Sequence, residues 1–277
     1  MLPWSFFLTL LAVAFGAGAL GALLGLGGGV VLVPALTLLG VDIRLAIGAS
    51  IVSVIATSCA AAATYVRERI ANLRVAMFLE TGTVTGGVAG SLLAGVVSRQ
   101  ALYLVLAAVL AYSAWLMLRR RQRARPPSAQ GDALARRLRL GASYYDPALA
   151  QTVECLPART LPVLGASCLA GVASGLLGIG GGPLQVPAMD VMMRLPIKMT
   201  SATSNLMIGV TAAASAGIYF LRGQISPLIA APVALGALGG TLVGTYLLTR
   251  LRGQVIRLVF VTLLAALAVQ MLLKGLL

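Results

Sequence analysis

The 277 residues include no histidine, and only 10% of them are charged. Without histidine there is no Ser-His nucleophilic pair, and the commonest metal ligand is missing. Cysteine is equally sparse, and the 3 that occur, Cys59, Cys155 and Cys168, lack metal-type spacing. Cys59 and Cys168 fall within apolar runs and read as buried small hydrophobes. No aspartate pair lies inside those runs, and no G-x-x-x-x-G-K-[ST] segment that would cradle a nucleotide occurs. These absences weigh against an intramembrane hydrolase and a nucleotide-driven pump. Neither a cofactor nor a metal is expected.

What is present is hydrophobic: 59% of the chain. Uncharged runs cover Met1 to Val41, Leu45 to Val66, Gln100 to Leu118, Thr160 to Met189, Met199 to Leu221 and Gly223 to Thr249. Crossing a bilayer takes about 20 apolar residues, so nearly every run is long enough. The ten-residue alternation of a membrane β-barrel is absent. The expected fold class is therefore an all-α integral membrane protein. The N-terminal run has the small residues Ala17-Gly18-Ala19 but not the basic n-region of a signal peptide. Its counterpart in the second half is internal, so Met1 to Leu24 is retained as a first span.

The chain is a duplication. Gly25-Leu26-Gly27-Gly28-Gly29, followed by Pro34, returns as Gly178-Ile179-Gly180-Gly181-Gly182, followed by Pro187. A shift of 153 residues aligns these stretches; a shift of 154 then places Ser50 on Ser204, Tyr65 on Tyr219, Gly82 on Gly236, Gly86 on Gly240, Gly90 on Gly244 and Gln100 on Gln254. Three glycines in succession inside an apolar run are poor helix and leave the backbone open to close approach. Paired breaks of this kind in two halves mark the midplane binding site of many transporters.

Five segments are expected per half, at roughly 4 to 24, 28 to 40, 44 to 66, 73 to 98 and 100 to 119, and at 160 to 178, 181 to 193, 198 to 221, 227 to 250 and 254 to 274. The domains read as a first membrane repeat over 1–119, a basic cytoplasmic linker over 120–159 and a second repeat over 160–277. Each second segment is only about 20 Å long as a helix, so a half-helix or re-entrant element is expected there. Glycines every fourth residue along the fourth segments form a small-residue face for tight helix packing.

The net charge of +14 is not a nucleic-acid footprint, because 9 of the 21 basic residues lie between Arg119 and Arg159 and most others sit between apolar runs. The bilayer is the expected partner and nucleic acid is not. With the linker cytoplasmic, an odd number of crossings per half leaves only Arg44, Arg99, Arg222 and Lys274 outside. An even number would put Arg194, Lys198, Arg250, Arg252 and Arg257 outside and bring Arg222 and Lys274 in, leaving 14 inside against 7 outside. The charge rule favours the odd count, and two odd repeats in succession must be inverted. Both termini are then external. Tyr144-Tyr145-Asp146-Pro147 reads as a folded turn within the linker.

Polar residues inside the runs are the candidate site. Glu80 lies in the fourth segment with no cation one helical turn away, and an intramembrane carboxylate is by default functional; proton coupling is set against an interfacial position near Arg74 or Arg69. Asp190 reads as a local ion pair with Arg194. The third segments open with Gly48-Ala49-Ser50 and Ser201-Ala202-Thr203-Ser204-Asn205, where hydroxyls and amides at a helix start either cap it or hold an anion. With Gln185, the substrate-binding set is Gly27, Gly28, Gly29, Ser50, Gly180, Gly181, Gly182, Gln185, Thr203, Ser204 and Asn205.

The two glycine motifs with their prolines, and the Gly48-Ala49-Ser50 and Ala202-Thr203-Ser204 turns, resemble those of the TauE/SafE sulfite-exporter family of membrane permeases. The resemblance covers everything except the linker; Ala49 departs from it, the family commonly having Thr there. It implies transport of a small sulfur-containing anion, such as sulfite, sulfoacetate, thiosulfate or a related organosulfonate, across a bacterial inner membrane. A non-transporting membrane scaffold and an intramembrane enzyme are the alternatives. The oligomeric state is open.

Overall fold

The computed structural model describes residues 4–121, 131–146 and 151–276. Among them the chain is almost wholly helical. The first half contains α1 (Trp4–Leu24), α2 (Gly29–Leu38), α3 (Ile43–Arg67), α4 (Leu73–Leu93) and α5 (Arg99–Arg121). The second contains α7 (Thr160–Leu177), α8 (Gly182–Pro187), a π-helical turn over Ala188–Met192, α9 (Ile197–Leu221), α10 (Pro227–Arg250) and α11 (Gly253–Leu276). Seven helices, α1, α3, α5, α7, α9, α10 and α11, are long and apolar enough to cross a membrane, and α4 is not in that set. The protein is a multi-pass membrane protein.

Where the helices begin is set by short polar side chains. Asp42 accepts from the Arg44 N–H at 2.9 Å and starts α3, and Asn72 accepts from the Val75 N–H at 3.1 Å and starts α4. Each bond satisfies an orphan donor of the first turn. Ser226 precedes Pro227, whose missing N–H costs nothing at a helix start. Helices α2 and α8 begin differently, on Gly28 and Gly181 in the left-handed region at φ 78° and 70°.

The halves interlock. Helix α10 packs on α1, with Gly236, Gly240 and Gly244 against the carbonyls of Leu11, Phe15 and Ala19. Helix α4 packs on α7, with Gly82, Gly86 and Gly90 against the carbonyls of Leu164, Cys168 and Val172. Both pairs are parallel, since residue numbers rise together along them. A Cβ on Gly86 or Gly240 would overlap the facing carbonyl, so the small-residue face serves close approach, as expected. The fourth segments meet the first segments of the opposite half rather than each other.

Helices α3 and α9 cross antiparallel at the centre. The start of α3 meets the end of α9, where Gly48 abuts Gln224, and the Asn72 N–H beyond α3 donates to Thr203 Oγ1 near the start of α9 at 3.0 Å. Helices α5 and α11 are also antiparallel: Gln100 Nε2 donates to the Gly275 carbonyl at 2.9 Å. Tyr65 donates to the Ala22 carbonyl at 3.0 Å, and its counterpart Tyr219 donates to the Gly175 carbonyl at 2.7 Å. Parallel unlike pairs and antiparallel like pairs are what two inverted repeats about an axis in the membrane plane produce.

The glycine stretches are re-entrant turns. Gly27 and Gly180 both lie against Val54 and Ile208, at the centre of the α3–α9 crossing. From there α2 runs back over 10 residues, about 15 Å, to the face where Lys274 Nζ meets the Thr37 carbonyl at 2.6 Å. A turn plus a half-length helix thus completes the return that a full span would make. The same face holds the Arg99–Asp42 ion pair at 2.8 Å, Arg44 on the Val97 carbonyl and Arg222 on the Ser91 carbonyl. The opposite face holds the linker, with Arg74 on the Arg139 carbonyl at 2.7 Å. Arg44, Arg99, Arg222 and Lys274 are thereby collected away from the linker, as the odd crossing count requires.

The linker has structure of its own. A short α6 (Ala133–Arg137) is followed by β1 (Ala142–Asp146) and β2 (Gln151–Cys155), paired antiparallel with Tyr144 opposite Val153. The expected turn at Tyr144 to Asp146 is instead a strand, with Tyr144 buried and Tyr145 exposed; Pro147, Arg123 and Arg125 lie outside the described residues. Cys59 corrects another expectation, being exposed on the outer surface of α3, whereas Cys155 is buried. On a membrane-facing helix a thiol is apolar enough to face lipid, so an apolar run does not imply burial.

Candidate functional site

The crossed turns bring most of the candidate residues together. Ser50 Oγ donates to the Gly178 carbonyl at 2.9 Å, and Ser204 Oγ donates to the Gly25 carbonyl at 2.8 Å. Each half's third segment therefore holds the other half's glycine turn. Asn205 Nδ2 donates to the Ala22 carbonyl at 2.8 Å and to the Ser201 carbonyl at 3.1 Å, while its Oδ1 is buried without a partner. Gln185 is buried with neither amide atom hydrogen-bonded. Thr203 does not join them: it accepts from the Asn72 N–H, at the connection between α3 and α4.

The backbone supplies more. The N–H groups of Gly27 to Gly29 and Gly180 to Gly182 donate to no backbone carbonyl among the described contacts of the turns. Successive unpaired N–H groups at the start of α2 form a region of partial positive charge. Gly27 and Gly180 are covered by the Val54 and Ile208 side chains, and Gly182 lies against the Gly25 carbonyl. Opening the site means parting these side chains.

Glu80 is half-buried on α4. Its Oε1 accepts from Thr211 Oγ1 of α9 at 2.8 Å, and its Oε2 is buried without a partner. The carboxylate is thus turned inward to α9, away from the interfacial position near Arg74 or Arg69. Asp190 takes a distant partner: Arg257 Nη2 of α11 reaches its two oxygens at 3.0 and 3.1 Å. Sequence reasoning missed Arg257, and it missed Thr57 and Thr211. The threonines match at the same 154-residue shift that pairs Ser50 with Ser204, so the repeat alone carried a signal for them; nothing local pointed to Arg257.

The family model described as "Sulfite exporter TauE/SafE" matches residues 10–271. The chain is similar to a probable membrane transporter protein, YunE, of Bacillus subtilis, at 24% identity over 277 residues, 97% of this chain and 98% of that one. It is 30% identical over 246 residues to a probable membrane transporter protein of Xylella fastidiosa, covering 87% of this chain and 85% of that one. A 110-residue match at 33% identity, 37% of this chain, reaches 17% of the probable membrane transporter protein MamO of Paramagnetospirillum magneticum. No solved structure matches. With transporters rather than enzymes as its named relatives and the family model spanning both halves, the chain belongs to the TauE/SafE sulfite-exporter family of membrane transporters.

Proposed function

We propose that this protein is a secondary transporter for a small sulfur-containing anion, of the sulfite, thiosulfate, sulfoacetate or organosulfonate class, in a bacterial inner membrane. The crossed glycine turns are its substrate site, reached alternately from the two faces. The observation that carries the reading is the reciprocal pair of bonds, Ser50 to Gly178 and Ser204 to Gly25, around unpaired glycine N–H groups. Such a site stabilises an anion through backbone donors and a helix dipole, with no cation in direct contact, so binding stays exchangeable. Gly27 to Gly29, Gly180 to Gly182, Ser50, Ser204, Asn205 and Gln185 are its members, and Thr203 contributes from the periphery.

Glu80 is the proposed proton carrier, in reach of Thr211 on the central helix α9. The linker face is the cytoplasmic one in this reading, and residues 1–119 and 160–277 are the two repeats. Flux of sulfite, thiosulfate and sulfoacetate into liposomes containing the purified protein is the test. A transporter moves at least one of them against a protein-free control, whereas a scaffold moves none.

A further inference from the structure

The duplication contains its own comparison. The 153-residue shift places Ser167 on Ala14, Ser174 on Gly21 and Gln185 on Leu32. All six positions are buried. The α1–α2 hairpin is therefore closed by apolar or absent side chains where the α7–α8 hairpin carries two hydroxyls and an amide. Ser167 Oγ and both amide atoms of Gln185 are buried without a hydrogen-bond partner. A Cβ placed on Gly181 would lie 3.3 Å from the Ala170 carbonyl oxygen, 3.4 Å from Ser174 Cβ and 3.5 Å from Gln185 Nε2, so the amide sits over the glycine turn against α7. Unpaired buried polar atoms are costly, and the first hairpin makes the same fold without them. Their use lies outside folding.

The asymmetry continues towards the linker face. Asp190, five residues beyond Gln185, is 0% exposed and bound to Arg257. The first-half counterparts of this pair are Thr37 and Tyr103, which carry no charge. Arg257 also lines a cavity of about 490 Å³ between α5 and α11, with Met117, Gln254 and Leu258 among its walls. The guanidinium that lines this cavity also binds a buried carboxylate, five residues along the chain from the unpaired amide.

We infer that substrate is held asymmetrically, by Gln185 with Ser167 and Ser174 of the second hairpin, and that it arrives from the linker face through the α5–α11 cavity, exchanging with Asp190 on Arg257. The inference rests on the transporter reading and narrows it to one hairpin and one route. Arg257 selects negative charge at the mouth, and the amide and hydroxyls replace the oxyanion's water inside.

The test is labelling of introduced cysteines in the full chain, in sealed vesicles, after Cys59, Cys155 and Cys168 are changed to Ala. The probe is 2-sulfonatoethyl methanethiosulfonate, a small sulfonate, set against its cationic trimethylammonium analogue. Leu258→Cys and Gln185→Cys should both label from the linker side. The anionic reagent should be roughly tenfold faster or more at Gln185→Cys, as expected for a charge-assisted contact on the route. Leu32→Cys, the matching position of the first hairpin, should stay unlabelled. Asp190→Asn should speed labelling of Gln185→Cys; if that variant does not fold, the comparison of positions 185 and 32 still decides.

Equal labelling of the two hairpins, an inert Gln185→Cys beside a reactive Leu258→Cys, or a Leu258→Cys shielded by lipid each overturns the inference. Gln185→Leu, which copies the first hairpin, should keep the wild-type melting temperature and lose at least tenfold in sulfite flux; unchanged flux also counts against it. A wild-type protein that moves no sulfur anion defeats the proposed function, while the labelling pattern judges the route separately.

Discussion

Thr57 and Thr211 occupy equivalent positions in α3 and α9 but hold different partners. Thr57 Oγ1 donates to the Gly27 carbonyl of a glycine turn at 3.0 Å; Thr211 Oγ1 donates to the Glu80 carboxylate at 2.8 Å. In one repeat the hydroxyl braces a glycine turn, and in the other it is taken by the acidic residue. Protonation of Glu80 would turn its carboxyl from an acceptor into a donor and change the bond to α9. Glu80→Gln should therefore abolish uptake driven by a pH gradient while leaving substrate exchange intact. Flux into liposomes with and without an imposed gradient measures this, and a wild-type response to the gradient makes Glu80 structural.

The serines that pin the turns should act on stability and on binding together. Each hydroxyl bond between membrane helices is worth about 0.6 to 2 kcal/mol, and Ser204→Ala also leaves the Gly25 carbonyl short of a donor. A lower melting temperature is expected, along with roughly tenfold weaker sulfite binding by calorimetry. Unchanged binding in both Ser50→Ala and Ser204→Ala would place the substrate elsewhere.

Gly86 and Gly240 should tolerate nothing larger. A methyl at either overlaps the carbonyl of Cys168 or Phe15, and overpacking of this kind costs about 1 to 3 kcal/mol. Gly16, whose added Cβ meets nothing within 4 Å, is the control. Gly86→Ala and Gly240→Ala should melt earlier than Gly16→Ala in detergent; equal melting would mean the helix pairs readily spread.

Both termini should lie on the face opposite the linker. Cysteines introduced at residue 5, at residue 276 and in the linker at residue 136 test this with an impermeant thiol reagent on sealed vesicles. Labelling of the two termini from opposite sides would remove the inverted repeat.

Asp132 ties the linker to the membrane domain. Desolvation acts to raise its pKa, but donors from the Thr160 N–H and hydroxyl and the Ala135 N–H outweigh it and hold the carboxyl below its usual value. A carboxylate with a lowered folded-state pKa adds stability above its unfolded pKa, and that stability disappears as pH falls through the folded pKa. Docking of α6 on α7 should accordingly be intact at neutral pH and loosen only in strong acid. Asp132→Ala should remove about 0.5 to 2 kcal/mol at pH 7, read as faster hydrogen exchange at Thr160 and Ala135 without loss of the transmembrane helices.

Much of this was legible in the residues. The helices, their order, the breaks at Gly25 to Gly29 and Gly178 to Gly182, and the separation of Arg44, Arg99, Arg222 and Lys274 from the linker follow from sequence. A bilayer admits few backbone solutions, and apolar length, glycine and cationic loops report on them directly. The repeat added which residues correspond: Ser50 with Ser204, Tyr65 with Tyr219. What each corresponding residue touches is a matter of tertiary structure. That Ser50 bonds Gly178 and not its own half, that Thr203 faces Asn72, that Asp190 reaches Arg257 across 67 positions and that Cys59 faces outward all depend on which helices are neighbours. Periodicity specifies the faces of a helix, but in an apolar solvent every face is apolar, so the partner of each face is chosen by close packing and hydrogen bonding between helices far apart in the chain.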